Sequence, residues 1–248
     1  MKSDVEGAGE LELAGNLEFK QSADWTTVTA EAPDNPITLR VSGTPTIAAD
    51  SDWTYGPGVE NSASDPIARS LYVTKNSALS VNAGSHTVIF EDPVRGDGAL
   101  SVSGGEVKFL SAQNSLAGGL NVNSGTAFVD GAFDASTPLT VGADGTAVLS
   151  VDQEFASLEG AGILSMKAAG GAVPSLFIAG TADLSELKFE FDASLKAELK
   201  EGRVDLISAK EIVGAANFAA KLRYEVVTES GRQVLRARLK MGTAVILR

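Results

Sequence analysis

Cysteine and histidine are almost missing from this 248-residue chain, which has no cysteine and a single histidine, His86. The lack of cysteine excludes a disulfide framework, a zinc–cysteine site and a catalytic thiol, and one histidine excludes a poly-histidine metal site. No apolar run approaches the roughly 18 residues that a membrane-spanning helix needs, and no signal peptide opens the sequence. We therefore expect a protein without metal, cofactor or transmembrane segment.

Basic residues are also few, with 20 lysines and arginines against 32 aspartates and glutamates, a formal net charge of −12. Nucleic-acid binding needs a basic surface, so this balance argues against such a partner. The charge is distributed unevenly along the chain, because residues 1–187 carry a net charge of −16 whereas residues 188–248 carry +4. The change near Leu187 predicts a boundary between a domain at 1–186 and a second one at 187–248.

Glycine is plentiful instead, with 26 residues, and it punctuates a short repeat. A Leu-polar-Val pattern begins at Leu79, Leu100, Leu120 and Leu139, at intervals of 21, 20 and 19 residues, and Leu39 begins the same pattern 40 residues before Leu79. A second apolar ladder, formed by residues 88–90, 107–109, 127–129 and 147–149, follows these strands after glycines that permit a sharp turn. These glycines are Gly84, Gly104, Gly105, Gly125 and Gly145.

Alternation within each repeat places leucine and valine on one face and polar residues on the other. One repeat cannot bury its apolar face alone, whereas stacked repeats bury a continuous core, which is the arrangement of a parallel β-helix. An antiparallel β-sandwich is the alternative, but the recurrence of the same residues in register favours the solenoid. The repeat expected near residue 59 is absent, and residues 53–58 and 61–66 are interpreted as a loop.

The C-terminal region is predicted to be a β-rich cap over residues 187–248. Two alternating stretches, 222–228 and 233–239, flank Glu229-Ser230-Gly231-Arg232, which is typical of a hairpin turn. The end of a solenoid exposes unpaired strand edges and its apolar core, so a cap is needed there. The expected fold class is all-β, a solenoid closed by this cap.

Two glycine-rich stretches repeat a longer pattern. Residues 96–104 read G-x-G-x-L-x-x-x-G and residues 118–126 read GG-L-x-V-x-x-GT, while residues 7–15 match the first half. These motifs resemble the autotransporter-associated β-strand repeat, and residues 204–239 resemble the end of such passenger regions. The resemblance implies a right-handed, single-stranded parallel β-helix in a larger bacterial protein that is secreted or displayed on the outer membrane or cell surface.

Three aromatic residues, Trp25, Trp53 and Tyr55, are candidates for a glycan-binding platform. Both tryptophans lie in stretches rich in threonine and aspartate, and an exposed ring there could stack on the face of a sugar. The alternative, which we favour, is that a tryptophan packs a loop against the flank of the solenoid.

Arg95-Gly96-Asp97 spells the tripeptide that integrins recognise. Such recognition needs an exposed loop that offers the guanidinium and the carboxylate together, so these residues are candidates for adhesion. Gly96 also belongs to the glycine pattern of the repeat, which explains the tripeptide without a receptor.

Four aspartates on successive repeats, Asp130, Asp134, Asp144 and Asp152, are the residues that a carbohydrate-active β-helix enzyme could use. No arginine lies between Arg95 and Arg203 to bind an acidic sugar, so solvated turn aspartates are the favoured interpretation. His86 has no histidine or cysteine partner and is interpreted as a turn residue.

We therefore predict a non-enzymatic passenger stalk or adhesion module. Its partners would be glycans or proteins of host or bacterial surfaces. The alternatives are a glycan-binding module that uses Trp25, Trp53 and Tyr55, and a polysaccharide-active enzyme.

Overall fold

The computed structural model describes residues 10–13, 17–19, 37–56, 69–167, 173–191, 203–214, 217–218 and 222–239. These residues form β-strands and no helix. The strands are β1 (Glu10–Leu13), β2 (Leu17–Phe19), β3 (Ile37–Val41), β4 (Thr46–Ala49), β5 (Trp53–Tyr55), β6 (Arg69–Val73), β7 (Ala78–Phe90), β8 (Val94–Gly96), β9 (Ala99–Phe109), β10 (Ser115–Leu116), β11 (Leu120–Val129), β12 (Pro138–Leu149), β13 (Gln153–Phe155), β14 (Ser157–Gly160), β15 (Ile163–Met166), β16 (Leu176–Asp183), β17 (Lys188–Phe191), β18 (Arg203–Val213), β19 (Asn217–Phe218), β20 (Leu222–Glu229) and β21 (Arg232–Leu239).

The strands pair into two sheets of a parallel β-solenoid of about five turns. Sheet A has the order β1-β3-β6-β8-β10. Sheet B has the order β2-β4-β7-β9-β11-β12-β14-β16-β18-β21-β20, with β5, β13, β15, β17 and β19 paired beside this path. Within the described ranges, only the pairings of β21 with β18 and β20 are antiparallel. The all-β solenoid predicted from the repeat is confirmed.

The register of the repeat is the one that the leucine spacing predicts. Leu79 pairs with Leu100, Leu100 with Leu120, and Leu120 with Leu139 on neighbouring strands. The upstream member of the pattern was assigned wrongly, because Leu39 lies on β3 of sheet A and pairs there with Leu71. The alternation that buries every second residue is the same in both sheets, so the pattern alone does not tell them apart.

Each long strand of sheet B contains both apolar ladders, which were predicted as two strands around a turn. β7, β9, β11 and β12 run through the glycine positions, and the register shifts there between β7 and β9, on both sides of Gly84, and between β11 and β12. Gly84, Gly104 and Gly125 have φ angles of 62°, 64° and 74°. Because such bulges bend a strand without ending it, one strand forms two sides of a solenoid turn.

The core runs along the solenoid axis and is apolar. The four repeat leucines and the valines two residues after them are fully buried, and burying each such side chain contributes about 2 kcal/mol. Phenylalanines stack through successive turns, with ring centroids 5.4 Å apart for Phe90 and Phe109. Phe133 and Phe155 continue the series at centroid distances of 5.5 Å and 5.7 Å.

The segment interpreted as a loop around Trp53 is in part a strand. Residues 53–55 form β5, which pairs in parallel with Val88–Phe90 of β7. Trp53 and Tyr55 are buried while Thr54 between them is exposed, so this is ordinary strand alternation. The interpretation missed it because the stretch does not carry the Leu-polar-Val pattern. Residues 57–68 lie outside the described ranges.

The cap is an antiparallel hairpin laid on the last parallel strands. β20 and β21 pair around a two-residue turn in which Ser230 and Gly231 have φ angles of 50° and 79°, so the predicted hairpin is confirmed. Parallel pairing continues past residue 187, because β17 pairs with β15 and β18 with β16. The pairing therefore changes direction at β21, and the predicted boundary at 186/187 falls within the parallel stack.

Candidate functional site

The predicted aromatic platform is not formed by the two of its members that the structure describes. Trp53 and Tyr55 are only 4% and 7% exposed. Their ring centroids lie 6.0 Å and 6.2 Å from that of Phe90 in the core. A ring with so little of its surface exposed cannot stack on a sugar, so these two residues are corrected to core residues. Trp25 lies outside the described residues.

The Arg95-Gly96-Asp97 tripeptide lies at the end of β8 and in the turn that follows. Asp97 is exposed and Arg95 is half-buried. The Arg95 guanidinium donates from Nε to the Gln113 carbonyl oxygen at 3.0 Å and from Nη2 to Gln113 Oε1. Asp97 Oδ2 accepts a hydrogen bond from the Tyr72 hydroxyl at 3.3 Å. Both charged side chains are thus held against neighbouring solenoid turns, and their role in adhesion stays a prediction.

Gly96 itself is explained by the fold. Its φ is 130°, and a Cβ at this position would overlap the carbonyl oxygen of Val73 on the preceding turn. Gly160 has a φ of 135° and meets Val141 in the same way. Gly96 on sheet A and Gly160 on sheet B are therefore both required for close backbone packing.

A column of outward-facing side chains crosses sheet A at the tripeptide. Arg40, Tyr72, Arg95 and Ser115 occupy paired positions on β3, β6, β8 and β10. The Arg40 guanidinium carbon lies 5.6 Å from the centroid of the Tyr72 ring, within the range of a cation–π contact. We call Arg40, Tyr72, Arg95, Asp97, Gln113 and Asp134 the sheet A cluster.

A shallow, open depression of about 390 Å³ adjoins this column. Arg95, Gln113, Ser115 and Asp134 contribute polar groups to its lining. Burial of the Asp134 carboxyl favours a higher pKa, but hydrogen bonds from Ser136, Ser115 and Thr137 outweigh it and hold the pKa below its usual value. Asp134 is therefore a carboxylate that accepts hydrogen bonds near neutral pH.

Three of the four aspartates considered for catalysis, Asp130, Asp134 and Asp152, accept hydrogen bonds from serines. Asp130 Oδ1 accepts from Ser150 Oγ at 2.5 Å, across one turn of the solenoid. Asp152 Oδ1 accepts from the backbone amide and hydroxyl of Ser175 at 2.7 Å and 3.0 Å. Asp144 is exposed on β12. These contacts are those of turn carboxylates that hold neighbouring turns together.

His86 lies in β7 and is half-exposed, with Nδ1 3.9 Å from Asp52 Oδ1. Among the residues that the structure describes, no three histidine, aspartate or glutamate side chains are placed to hold a metal ion. Within the same residues, no helix is long and apolar enough to cross a membrane.

Tyr72 and Arg40 were missed as candidate site residues. Tyr72 lies between the buried residues Leu71 and Val73, so an aromatic in that apolar run resembles a core residue. The signal that could have found it is the strand period of two, which turns the middle residue of such a triplet outward.

Comparisons with protein-family models, with curated proteins and with solved structures returned no match to this chain. The parallel β-solenoid and its surface are therefore the basis on which a function is proposed.

Proposed function

We propose that this chain is a non-enzymatic stalk or spacer segment of a larger secreted or surface-displayed protein, with a capacity for adhesion. The observation that carries the proposal is that polar side chains link successive turns along the axis. Asp130 bonds to Ser150, Arg95 to Gln113, and Asp152 to Ser175, each across about one repeat. A repeat whose polar residues join turn to turn suits an extended, rigid element.

Two buried side-chain amides, those of Asn114 and Gln153, also join successive turns of the solenoid. Asn114 is 1% exposed, and its Oδ1 accepts from the Val94 backbone amide at 3.0 Å. Gln153, equally buried, accepts from the Phe133 amide at 3.1 Å and donates to the Gly131 carbonyl at 2.6 Å. These side chains replace strand-to-strand backbone bonds where the chain leaves the sheet, which keeps the corner polar groups satisfied.

The enzymatic alternative receives less support from the same contacts. A general acid in a glycosidase needs a carboxyl whose pKa is raised by its surroundings, whereas the pKa of Asp134 is lowered by its hydrogen bonds. Purified protein incubated with neutral and acidic polysaccharides should release no new reducing or unsaturated ends. Release that is lost in an Asp134→Asn variant would favour an enzyme instead.

Surface display is tested on intact cells of the source organism. Antibody raised against the purified chain should label unpermeabilised cells or precipitate the protein from the medium, and external protease should remove the cell-bound signal. A cytoplasmic enzyme from the same cells is the control and must stay protected. Labelling that appears only after permeabilisation would contradict the proposal.

A further inference from the structure

The sheet A cluster differs from a freely solvated surface because its long side chains are held in place. Gln113 fixes Arg95 through two hydrogen bonds, and Asp97 accepts from the Tyr72 hydroxyl while Arg40 lies against the Tyr72 ring. Side chains that are already ordered lose little rotamer entropy when a ligand binds. The cluster is thus preorganised to contact something beyond the chain.

The charges of the cluster balance. The guanidinium groups of Arg40 and Arg95 are matched by the carboxylates of Asp97 and Asp134. The surrounding protein carries a net charge of −12. An anionic ligand would gain from two guanidinium groups and lose against two carboxylates and the field of the whole chain. A cationic ligand would gain from the two carboxylates and from the field of the chain but lose against the two guanidinium groups. Because the cluster has no net charge of its own, it best suits a neutral ligand that contacts groups of both signs.

The functional groups are those that contact sugars. Guanidinium, carboxylate and primary amide groups are planar and can place two hydrogen-bonding atoms side by side, which match two adjacent hydroxyls of a pyranose ring. Tyr72 is half-buried and Arg40 lies against its ring, so the C–H face of a sugar would stack on the part of the ring that Arg40 leaves uncovered. The strands carrying these groups are spaced by about 4.8 Å, close to the length of one sugar unit in an extended chain.

We propose that the sheet A cluster binds a neutral oligosaccharide laid across the strands of sheet A, with Tyr72 as the stacking residue and Arg95, Gln113 and Asp134 as hydrogen-bonding residues. The depression beside Arg95 is open and shallow, so a single site binds weakly. Many copies on one surface gain affinity by multivalency. This site shares no residue with the platform predicted from the sequence, because Trp53 and Tyr55 are buried in the core whereas Tyr72 faces outward.

Binding of oligosaccharides to the purified protein tests the inference, and this measurement does not depend on where the protein is displayed. Calorimetric titration with cellohexaose and, separately, with the fully N-acetylated chitin hexamer should show binding of at least one of these neutral probes, with a dissociation constant in the range of about 0.1–10 mM. Absence of binding of both probes at about 10 mM, or binding of tri-galacturonate alone, would overturn the proposal. The stalk function would be unaffected by either result.

Variants assign the binding to the cluster. Tyr72→Ala and Arg95→Met should each weaken binding by about tenfold or more, and Tyr72→Phe, which keeps the ring, by about threefold. The matched control is the outward pair Lys108 and Phe128 on sheet B, where the Lys108 ammonium lies 5.4 Å from the ring centroid. Lys108→Met and Phe128→Ala should bind as the unmodified protein does; equal loss in these controls would refute the assignment. Unchanged circular dichroism and Tm show that each variant is folded.

Discussion

The repeated turns formed by β7, β9, β11 and β12 differ in construction from the cap, which is the hairpin of β20 and β21 laid on β18. In the repeated turns, identical residues stack in register, and the core is fully buried leucine, valine and phenylalanine. In the cap, the pairing is antiparallel and its outer face carries ion pairs. Arg236 bonds to Asp205 at 2.5 Å and 2.9 Å and to Glu229 at 2.9 Å.

The difference shows where a solenoid can use repetition and where it cannot. Each repeated turn packs against a similar turn on either side. Buried apolar side chains and glycines at the bends are therefore enough to specify its position. The last turn has no copy, and the cap closes it with directional groups. Arg232 stacks on Phe177 at 4.0 Å and donates to the carbonyl oxygens of Ile178 at 2.5 Å and Ser208 at 3.1 Å. These bonds join β21 to both β18 and β16.

Removing a core ring should have the largest effect. Phe109→Ala leaves a cavity between Phe90 and Phe133, and we expect it to lower the free energy of unfolding by about 3–5 kcal/mol. Urea titration followed by tryptophan fluorescence measures the loss. Phe128→Ala, an outward position on the next strand, is the control and should cost less than about 1 kcal/mol. Equal losses would mean that the core of the repeated turns is not where their stability lies.

Two glycines, Gly96 and Gly231, allow the effect of close packing on stability to be measured separately from the effect of backbone conformation. Gly96→Ala forces a Cβ against the Val73 carbonyl, whereas Gly231→Ala in the cap turn meets nothing within 4 Å although its φ is also positive, at 79°. We expect losses of about 2–3 kcal/mol for Gly96→Ala and about 1 kcal/mol for Gly231→Ala. Thermal unfolding compares the two. A Gly231→Ala loss as large as that of Gly96→Ala would remove the distinction between the regions.

Arg232→Met should loosen the cap without unfolding the repeated turns. Loss of its hydrogen bonds leaves the carbonyl groups of Ile178 and Ser208 with fewer donors, and we expect a local cost of about 1–2 kcal/mol. Hydrogen exchange should rise on β20 and β21 and stay unchanged on β9 and β11. Arg223→Met, at an exposed position on β20, is the matched control. Faster exchange throughout the solenoid would show that the cap holds more than the last turn.

The cap should also make a small contribution to the free energy of unfolding that depends on pH. The hydrogen bonds from Arg236 hold the pKa of Asp205 below its usual value of 3.8. A lowered folded-state pKa stabilises the protein above the unfolded-state value, and this contribution is lost as the pH falls through the folded-state pKa. Because Asp205 is half exposed, we expect about 0.5 kcal/mol. Unfolding of Asp205→Asn should differ from the unmodified protein near pH 6 and converge with it near pH 2; a constant difference would contradict the linkage.

The repeated turns are easier to predict from the sequence than the groups of residues on the surface are. Leu79, Leu100, Leu120 and Leu139 predict their pairing because a fully buried position tolerates few residue types. Leu39 was placed in the wrong sheet because both sheets bury alternate residues, and the segment around Trp53 was taken for a loop because it lacks the Leu-polar-Val pattern. Tyr72 and Arg40 could not be joined from sequence, since 32 residues separate them and only the register of β3 and β6 makes them neighbours.

The most direct test of the stacked register uses the absence of native cysteine. Ser101 and Asn121 are paired on neighbouring strands, with Cα atoms about 4.8 Å apart, within the range of roughly 4.4–6.8 Å that a disulfide spans. The double variant Ser101→Cys/Asn121→Cys should form an intramolecular disulfide on mild oxidation. Ser101→Cys/Thr140→Cys, two turns apart, should stay reduced. Cross-linking of the second pair, or its absence in the first, would contradict the parallel solenoid.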